Sequence, residues 1–178
     1  MLGDSLSAEY GLRRGSGWVA LLEQRLRQAG NPIPVRNASI SGETSAGGHT
    51  RIPGLLRRHR PAIVVIELGG NDALRGLDLT ATERNLREIA RHSRESGARV
   101  LLLGMRMPPN YGREYGERFA ALYTTIARSE RAALVPFFLG GVGDRIDLFQ
   151  PDRIHPNEQA QPMLLENVWP ALSKLLPR

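Results

Sequence analysis

The chain contains no cysteine among its 178 residues, so disulfide bonds, zinc–thiolate sites and thiol catalysis are excluded. It has no apolar run near the ~20 residues that a membrane-spanning helix needs. We recognise no signal sequence ahead of Gly3, where the first motif begins. With 41% hydrophobic and 24% charged residues, the composition is that of a globular protein, and the length predicts one domain over 1–178.

Negative charge is in the minority, with 18 acidic against 24 basic residues and a net charge of +6. All basic residues except Lys174 are arginine, a side chain that binds phosphate well. The arginines are nevertheless scattered among acidic residues, and 57–60 is the only short basic cluster. A nucleic-acid-binding module typically shows a denser basic stripe with aromatic residues. We therefore predict an ordinary solvated surface and no nucleic-acid partner.

Apolar segments of two periodicities alternate along the chain. Short β-branched runs predict strands at 35–40, 62–68, 100–105 and 133–139. Helical spacing predicts helices at 18–29, 52–60, 80–96, 114–131 and 157–176, the last interrupted or bent near Pro162 and Pro170. This alternation predicts an α/β fold, a three-layer α/β/α sandwich with a central parallel sheet. Ligands of such folds bind at the carboxyl ends of the strands, where the glycine-rich turns of this chain fall.

The sequence Gly-Asp-Ser at residues 3–5 offers a candidate nucleophile. Gly3 permits a tight turn, and a serine at the start of a following helix gains an activating dipole. Serine and aspartate are also common helix caps, so Ser5 alone has a simple structural interpretation as well.

Asp152 and His155 stand three residues apart, between Pro151 and Pro156. The prolines disfavour a continuous helix, so a loop can turn both side chains the same way. Asp152 would then accept from His155 Nδ1 while Nε2 faces Ser5, which gives a nucleophile, a base and an orienting group. The alternative is a turn that begins at Asp152 and leaves His155 on the surface.

Gly42 and Asn71 are candidate donors to an oxyanion. Gly42, in a Ser-Gly-Glu-Thr turn, presents an unobstructed backbone N–H, and Asn71, in Gly-Gly-Asn-Asp, has an amide that donates. Taken alone, Gly-Gly-Asn-Asp also describes an ordinary turn. The other histidines are interpreted as surface residues without the spacing of a metal site; they are His49, His59 and His92.

Together these blocks resemble the SGNH/GDSL hydrolases, whose four blocks centre on Ser, Gly, Asn and His. The resemblance is strongest to the bacterial multifunctional acyl-CoA thioesterase, lysophospholipase and arylesterase group, and it runs from Gly3 to Leu176. The matching segments are 3–7 (Gly-Asp-Ser-Leu-Ser), 37–44 (Asn-Ala-Ser-Ile-Ser-Gly-Glu-Thr), 67–72 (Glu-Leu-Gly-Gly-Asn-Asp), 109–112 (Pro-Asn-Tyr-Gly) and 152–156 (Asp-Arg-Ile-His-Pro).

The resemblance implies a flavodoxin-like sandwich and a two-step acyl-enzyme reaction with no metal or organic cofactor. By position it implies Ser5 as nucleophile, His155 as general base and then acid, and Asp152 as its orienting partner. The implied oxyanion hole consists of the backbone N–H groups of Ser5 and Gly42 and the side chain of Asn71.

The segment ahead of the nucleophile departs from the family, which carries an apolar strand there. Only Met1 and Leu2 stand in its place. We expect either a sequence truncated at its start, which we favour, or a sheet that is short by one strand. The enzyme is then expected in the periplasm or outside the cell if an upstream signal has been lost, and in the cytoplasm if the chain truly starts at Met1.

The predicted function is hydrolysis of carboxylic esters, and of thioesters, whose acyl chain lies in a groove. Met107, Pro108 and Tyr111 suit an adaptable apolar wall, although an ordinary strand-to-helix connection is the alternative. We expect a monomer acting on small molecules. A second hypothesis is an acetyl esterase for acetylated carbohydrate, which the low aromatic content of 6% disfavours. A third is a binding module that keeps the fold without catalysis.

Overall fold

The computed structural model describes residues 1–31 and 33–177, and at its centre lies a parallel sheet of four strands. In order across the sheet they are β1 (Leu2–Gly3), β2 (Ile63–Glu67), β3 (Arg99–Leu103) and β4 (Ala133–Val135). Every pairing is parallel. All four carboxyl ends therefore lie at one edge, and the candidate residues that follow β1 and β2 emerge there together.

Six α-helices of the described ranges surround the sheet: α1 (Trp18–Gln28), α2 (Ser45–His59), α3 (Gly70–Leu74), α4 (Leu79–Glu95), α5 (Arg113–Glu130) and α6 (Gln161–Leu172). Helix α1 packs on α6, and α6 contacts β3 and β4. Helix α4 packs between α2 and α5, and both α4 and α5 contact β3. Two helix layers thus enclose the sheet, and the predicted α/β/α sandwich is confirmed. None of these helices has the length and apolarity to cross a membrane.

The central strands are apolar along almost their whole length, since β2 reads Ile-Val-Val-Ile-Glu and β3 reads Arg-Val-Leu-Leu-Leu. Strands covered by helices on both faces bury every side chain, so the usual alternation is lost. Glu67, the last residue of β2, is as buried as its apolar neighbours, with 0% exposure. A carboxyl group in that position needs a specific environment.

The prediction of a strand at 35–40 is wrong. The segment is extended and accompanies β1, because Ala38 N donates to Met1 O at 2.9 Å and Ile40 N donates to Gly3 O at 3.0 Å. With only two residues in β1, the segment finds no longer ladder to pair with.

Two elements have different bounds from those predicted because of proline. Strand β4 stops at Val135 rather than continuing to 139, since Pro136 has no N–H to donate. Helix α6 begins at Gln161 after a short 3₁₀ turn, which puts Pro162 in the first helical turn, where a missing N–H costs nothing. The helix continues through Pro170 to Leu172, so no interruption occurs there.

Helix α2 begins seven residues before its predicted start. Thr44 caps it by accepting from Gly47 N at 3.3 Å, and Ser45 is fixed by two hydrogen bonds to the Asp72 carboxylate. Pro53 therefore lies inside the helix instead of limiting its start. The Ser45–Asp72 hydrogen bonds tie the start of α2 to the segment that carries Asn71, the residue before Asp72.

Gly104, directly after β3, lies against the chain that follows β4. A Cβ at this position would stand 2.6 Å from Pro136 O and 3.0 Å from Val135 O, both backbone atoms.

We predict that Gly104→Ala lowers the free energy of unfolding by about 1–3 kcal/mol in urea denaturation. The matched control is Gly54→Ala, at an exposed position of α2, where an added Cβ meets no atom within 4 Å. It should stabilise by about 0.5–1 kcal/mol, and equal stabilities of the two variants would contradict the prediction.

Candidate active site

Ser5 lies two residues beyond β1, in a series of tight turns that spans 5–11. Asp4 O accepts from Ser7 N at 3.2 Å and from Ala8 N at 2.9 Å. The prediction that a helix starts at Ser5 is therefore wrong, because these turns do not continue into a helix and α1 begins only at Trp18. Ser5 has no helix dipole behind it, and its activation must come from neighbouring side chains.

Gly3 lets the end of β1 lie against a carboxyl group. A Cβ on Gly3 would be 2.8 Å from Glu67 Oε2 and 2.9 Å from Ser7 Oγ. Its φ is not positive, so glycine is required here for space and not for backbone conformation. The first residue of the Gly-Asp-Ser sequence thus accommodates Glu67, which the sequence had not suggested as part of the site.

The side chains of Ser5, His155 and Asp152 form one hydrogen-bonded series. His155 Nε2 lies 2.9 Å from Ser5 Oγ, across 150 positions of sequence. His155 Nδ1 lies 2.6 Å from Asp152 Oδ2. The structure thus brings these three predicted residues together, in the arrangement that activates a serine hydroxyl.

The loop that carries Asp152 and His155 is closed by its own backbone. Gln150 N donates to His155 O at 2.7 Å, and Arg153 takes a left-handed conformation with φ 58°. Asp152 Oδ1 accepts from Ile154 N at 2.9 Å and from His155 N at 3.0 Å. A loop rather than a helix therefore presents both side chains, as the flanking prolines predicted.

Asp152 is held in its ionised form. Burial alone would raise the pKa of Asp152, but the N–H groups of His155 and Ile154 and the imidazole together lower that pKa to about 2. The carboxylate therefore accepts the Nδ1 proton of His155. Nε2 is left free to take a proton from the serine hydroxyl.

Tyr10 is a part of the site that sequence reasoning missed. Its ring packs on His155 with 4.4 Å between ring centroids and a tilt of 39°. Gln150 Nε2 donates to Tyr10 O at 2.8 Å, so the loop that carries His155 is joined to the turns that carry Ser5. Tyr10 stands alone outside the recognised motifs, and no sequence signal could have indicated it.

Gly42 occupies a turn at the same edge of the sheet. Glu43 N donates to Ile40 O at 3.1 Å, and Gly42 has φ 79°, which the third position of this turn requires. Arg75 donates to Gly42 O at 3.1 Å and holds the turn. Within the described ranges, the backbone N–H groups of Ser5 and Gly42 donate to no protein acceptor. Both are therefore available to an oxyanion.

Asn71 lies in α3, which follows β2 after Gly69, a residue with φ 107°. Its Nδ2 donates to Asp4 Oδ2 at 3.0 Å and to Glu43 O at 3.1 Å. Both amide hydrogens are thus in use. Asn71 can donate to an oxyanion only when one of these two acceptors is given up.

Asp4 and Glu67 form a buried carboxyl pair beneath the turns that carry Ser5. Burial raises the pKa of Asp4 to about 6, although hydrogen bonds from Leu6 N, Glu67 and Asn71 oppose it. Burial and the adjacent Asp4 charge raise the pKa of Glu67 well above its usual range. Burial therefore favours the protonated form of both carboxyl groups, and a negative charge on Asp4 opposes ionisation of Glu67. The signal that could have found Glu67 is a single carboxyl group inside an apolar strand.

The predicted acyl-chain residues lie on the loop after β3. Met107 is half-buried against the core, Pro108 is exposed and Tyr111 is 37% exposed, in a 3₁₀ turn. Two cavities of the described chain lie elsewhere, one of about 220 Å³ between α4 and α5 and one of about 40 Å³ beside β1 and α2. The apolar wall therefore stays a prediction.

The remaining histidines differ from one another. His59 is exposed, as predicted, but His49 and His92 are half-buried between α2 and α4, with 6.0 Å between their ring centroids. The prediction that all three lie on the surface is thus wrong for two of them, because the two helices pack there. In the ranges that the structure covers, no three His, Asp or Glu side chains are grouped to hold a metal ion.

Comparison with known proteins agrees with this geometry. The model of the GDSL-like Lipase/Acylhydrolase family matches residues 1–161. Esterase TesA of Pseudomonas aeruginosa is 54% identical over 176 residues, which are 99% of this chain and 88% of that protein. Thioesterase 1/protease 1/lysophospholipase L1 of Escherichia coli K12 is 43% identical over 93% of this chain and 78% of its own. The crystal structure of TesA superposes with a TM-score of 0.96 at 55% identity, covering 98% and 97% of the two chains.

The low pKa of Asp152 gives a pH-dependent contribution to stability. A carboxyl group whose pKa falls to about 2 on folding stabilises the native state above its unfolded pKa of 3.8, and loses that contribution as pH falls through 2. We predict that Asp152→Asn is less stable than wild type at pH 6, by at most about 1 kcal/mol because solvent screens the exposed carboxylate. The difference should shrink between pH 4 and 2.

Urea denaturation at a series of pH values measures this difference. Asp144→Asn, on an exposed turn, is the control for loss of one negative charge. A gap between Asp152→Asn and wild type that stays constant from pH 4 to pH 2 would show that the ionised carboxylate is not its source.

Proposed function

Since the chain belongs to the GDSL-like lipase/acylhydrolase family and is a serine ester hydrolase, we propose that it cleaves esters and thioesters of acyl chains through an acyl-enzyme on Ser5. The observation that carries the assignment of Ser5 is its 2.9 Å contact with His155 Nε2, continued by the 2.6 Å contact of Nδ1 with Asp152. The names of the relatives, an esterase and a thioesterase/lysophospholipase, support both kinds of bond.

Acylation begins when Ser5 Oγ attacks the carbonyl carbon of the substrate. His155 Nε2 takes the hydroxyl proton as the new C–O bond forms, and Asp152 stabilises the resulting imidazolium. The carbonyl oxygen becomes an oxyanion in a tetrahedral intermediate. His155 then gives its proton to the departing alcohol or thiol, the bond to the leaving group breaks, and the acyl group stays on Ser5.

Deacylation repeats these steps with water as the nucleophile. His155 takes a proton from the water that attacks the acyl carbonyl, and returns it to Ser5 Oγ when the ester bond breaks. The carboxylic acid leaves and the serine is regenerated. His155 is the side chain that takes and returns the proton in each of these steps.

The proposed oxyanion hole consists of the N–H groups of Ser5 and Gly42 and one amide hydrogen of Asn71. The first two have no acceptor within the described part of the protein, so they are ready to donate. Donors fixed before the reaction stabilise developing charge without reorganisation. The Asn71 contribution requires one hydrogen to leave its present acceptor.

We further propose that Met107, Pro108 and Tyr111 border the acyl chain. Their loop follows the carboxyl end of β3, beside the end of β2, which leads into Asn71. Just after the loop, Tyr115 donates from its hydroxyl to Ala73 O in α3 at 3.1 Å. This contact supports a position of the loop next to the oxyanion side of the site.

The proposed enzyme works as a monomer on small-molecule substrates and without nucleic acid. Its arginines are scattered over the sequence, which supports the absence of a nucleic-acid surface. The cellular location stays a prediction with two branches: the periplasm or the exterior with an upstream signal, and the cytoplasm without one. Cell fractionation of the native protein would distinguish the branches.

We predict that Ser5→Ala lowers kcat/KM by at least about 10⁴-fold on a p-nitrophenyl ester series from acetate to palmitate, because the acyl-enzyme can no longer form. For the wild type we expect activity to peak at medium or long chains. Ser96→Ala is the matched control, since this exposed serine follows α4 at the opposite edge of the sheet.

The two parts of this prediction fail separately. Hydrolysis that persists in Ser5→Ala would contradict the assignment of the nucleophile. Serine-dependent hydrolysis that is restricted to acetate would instead favour the acetyl esterase hypothesis.

A further inference from the structure

The Asn71 amide can present either its NH₂ or its carbonyl oxygen to the reacting group, and only the NH₂ stabilises an oxyanion. The orientation of the amide is set by its hydrogen-bond partners. Asp4 Oδ2 and Glu43 O are both acceptors, at 3.0 and 3.1 Å from Nδ2. A rotated amide would place its oxygen against two other oxygens. The two contacts therefore fix the NH₂ on the reactive side.

The two contacts of Asn71 differ in strength. Both carboxyl oxygens of Asp4 accept an N–H donor, which favours the ionised form of Asp4. The bond to Asp4 is therefore charge-assisted, whereas the bond to Glu43 O joins two neutral groups. The weaker bond yields more readily to a developing negative charge. The hydrogen now on Glu43 O is the one that can turn to the oxyanion, while Asp4 continues to hold the amide.

Asp4 in turn depends on its surroundings, since it is only 3% exposed. Its Oδ1 accepts from Leu6 N at 3.0 Å, and its backbone N donates to Glu67 Oε2 at 3.3 Å. With one oxygen on Leu6 and the other on Asn71, both carboxylate oxygens are committed. An amide in place of this carboxylate has only one acceptor oxygen for the two donors.

Glu67 is the partner that makes an ionised Asp4 possible. Its Oε2 accepts from Ser7 Oγ at 2.8 Å as well as from Asp4 N, but no donor among the described residues reaches its buried Oε1. An ionised carboxylate would leave that oxygen without compensation, next to a second negative charge. A protonated Glu67 removes the repulsion and offers a donor to Asp4.

We propose that Asp4 and Glu67 are positioning residues of this hydrolase: ionised Asp4 fixes the Asn71 amide with its NH₂ toward the reacting carbonyl, and protonated Glu67 holds Asp4. This inference rests on the proposed function, because it concerns the oxyanion hole of the same site. Neither carboxyl group touches the substrate. Both act through Asn71 and the turn that carries Ser5.

The test is a double-mutant cycle of Asp4→Asn and Asn71→Ala, measured on a p-nitrophenyl ester that the wild type cleaves. In Asp4→Asn, Leu6 N keeps the single acceptor oxygen and the new NH₂ meets Asn71, whose amide must rotate. We expect kcat to fall about 10²–10³-fold, the usual effect of losing one oxyanion donor, with KM changed by less than about threefold. In the Asn71→Ala background, Asp4→Asn should then cost less than about threefold.

A purely structural role of Asp4 predicts something different, namely equal losses of kcat in both backgrounds, and that result would overturn the proposal. Titration of active serines with a phosphonate ester corrects kcat for any misfolded fraction. Asp72→Asn is the matched control, because this buried carboxylate accepts hydrogen bonds from Ser45 and Thr82 and none from the Asn71 side chain. Its effect on kcat should be the same with and without Asn71→Ala.

Glu67→Gln tests the position of the proton. Glutamine keeps a donor for Asp4 and an acceptor for Ser7 Oγ, as a protonated glutamate does. We expect Glu67→Gln to retain at least about tenfold more kcat than Asp4→Asn. A loss as large as that of Asp4→Asn would overturn the assignment of the proton to Glu67. Failure of the Ser5→Ala experiment would disprove the proposed function itself, independently of this cycle.

Discussion

The short pairing of β1 with β2 is the constraint on which the site depends. Two registered contacts, Leu2 with Ile66 and Gly3 with Glu67, align the carboxyl ends of both strands. After β1 the chain continues into Asp4 and Ser5, and after β2 it continues through Leu68 and two glycines into Asn71. Ser5 and Asn71, the proposed nucleophile and a proposed oxyanion donor, therefore meet because of register, although 66 positions separate them. A shift of the β1–β2 register by one residue would point Glu67 to the other face of the sheet, away from the turns that carry Ser5.

The histidine reaches this edge by a different route. Its loop belongs to no strand, and it is fastened to the N-terminal segment by side chains. Gln150 Nε2 binds Tyr10 O at 2.8 Å, and Gln161 Oε1 accepts from Trp18 N at 3.0 Å, so the loop is held on both sides. The exposed Arg13–Glu158 ion pair adds little, because solvent screens it. Buried and backbone-directed bonds, not surface charge, thus set the distance between Ser5 and His155.

Sequence reasoning was most reliable where a single physical rule decides the outcome. The apolar runs of β2 and β3 predicted buried parallel strands, and the prolines around Asp152 and His155 predicted a loop. It failed where tertiary contacts decide. Segment 35–40 has strand composition but a neighbouring strand of only two residues. Residues 5–11 form turns, which begin where Asp4 O accepts two successive N–H groups. Glu67 was missed, although a single carboxyl group inside an apolar strand could have indicated it. Tyr10 lies outside every motif, so no sequence signal could have indicated it.

The carboxyl groups of this site show how environment divides one chemistry into two tasks. The Asp152 carboxylate lies in an open loop with 37% of its side chain exposed, and three N–H donors keep its pKa at about 2. Asp4 and Glu67 are almost completely buried, and burial raises both of their pKa values. The first environment supplies a negative charge to the imidazole that gains a proton in the proposed mechanism. The second raises the pKa of both carboxyl groups. In our proposal a single negative charge, on Asp4, therefore lies beneath the serine, next to the amide that it orients.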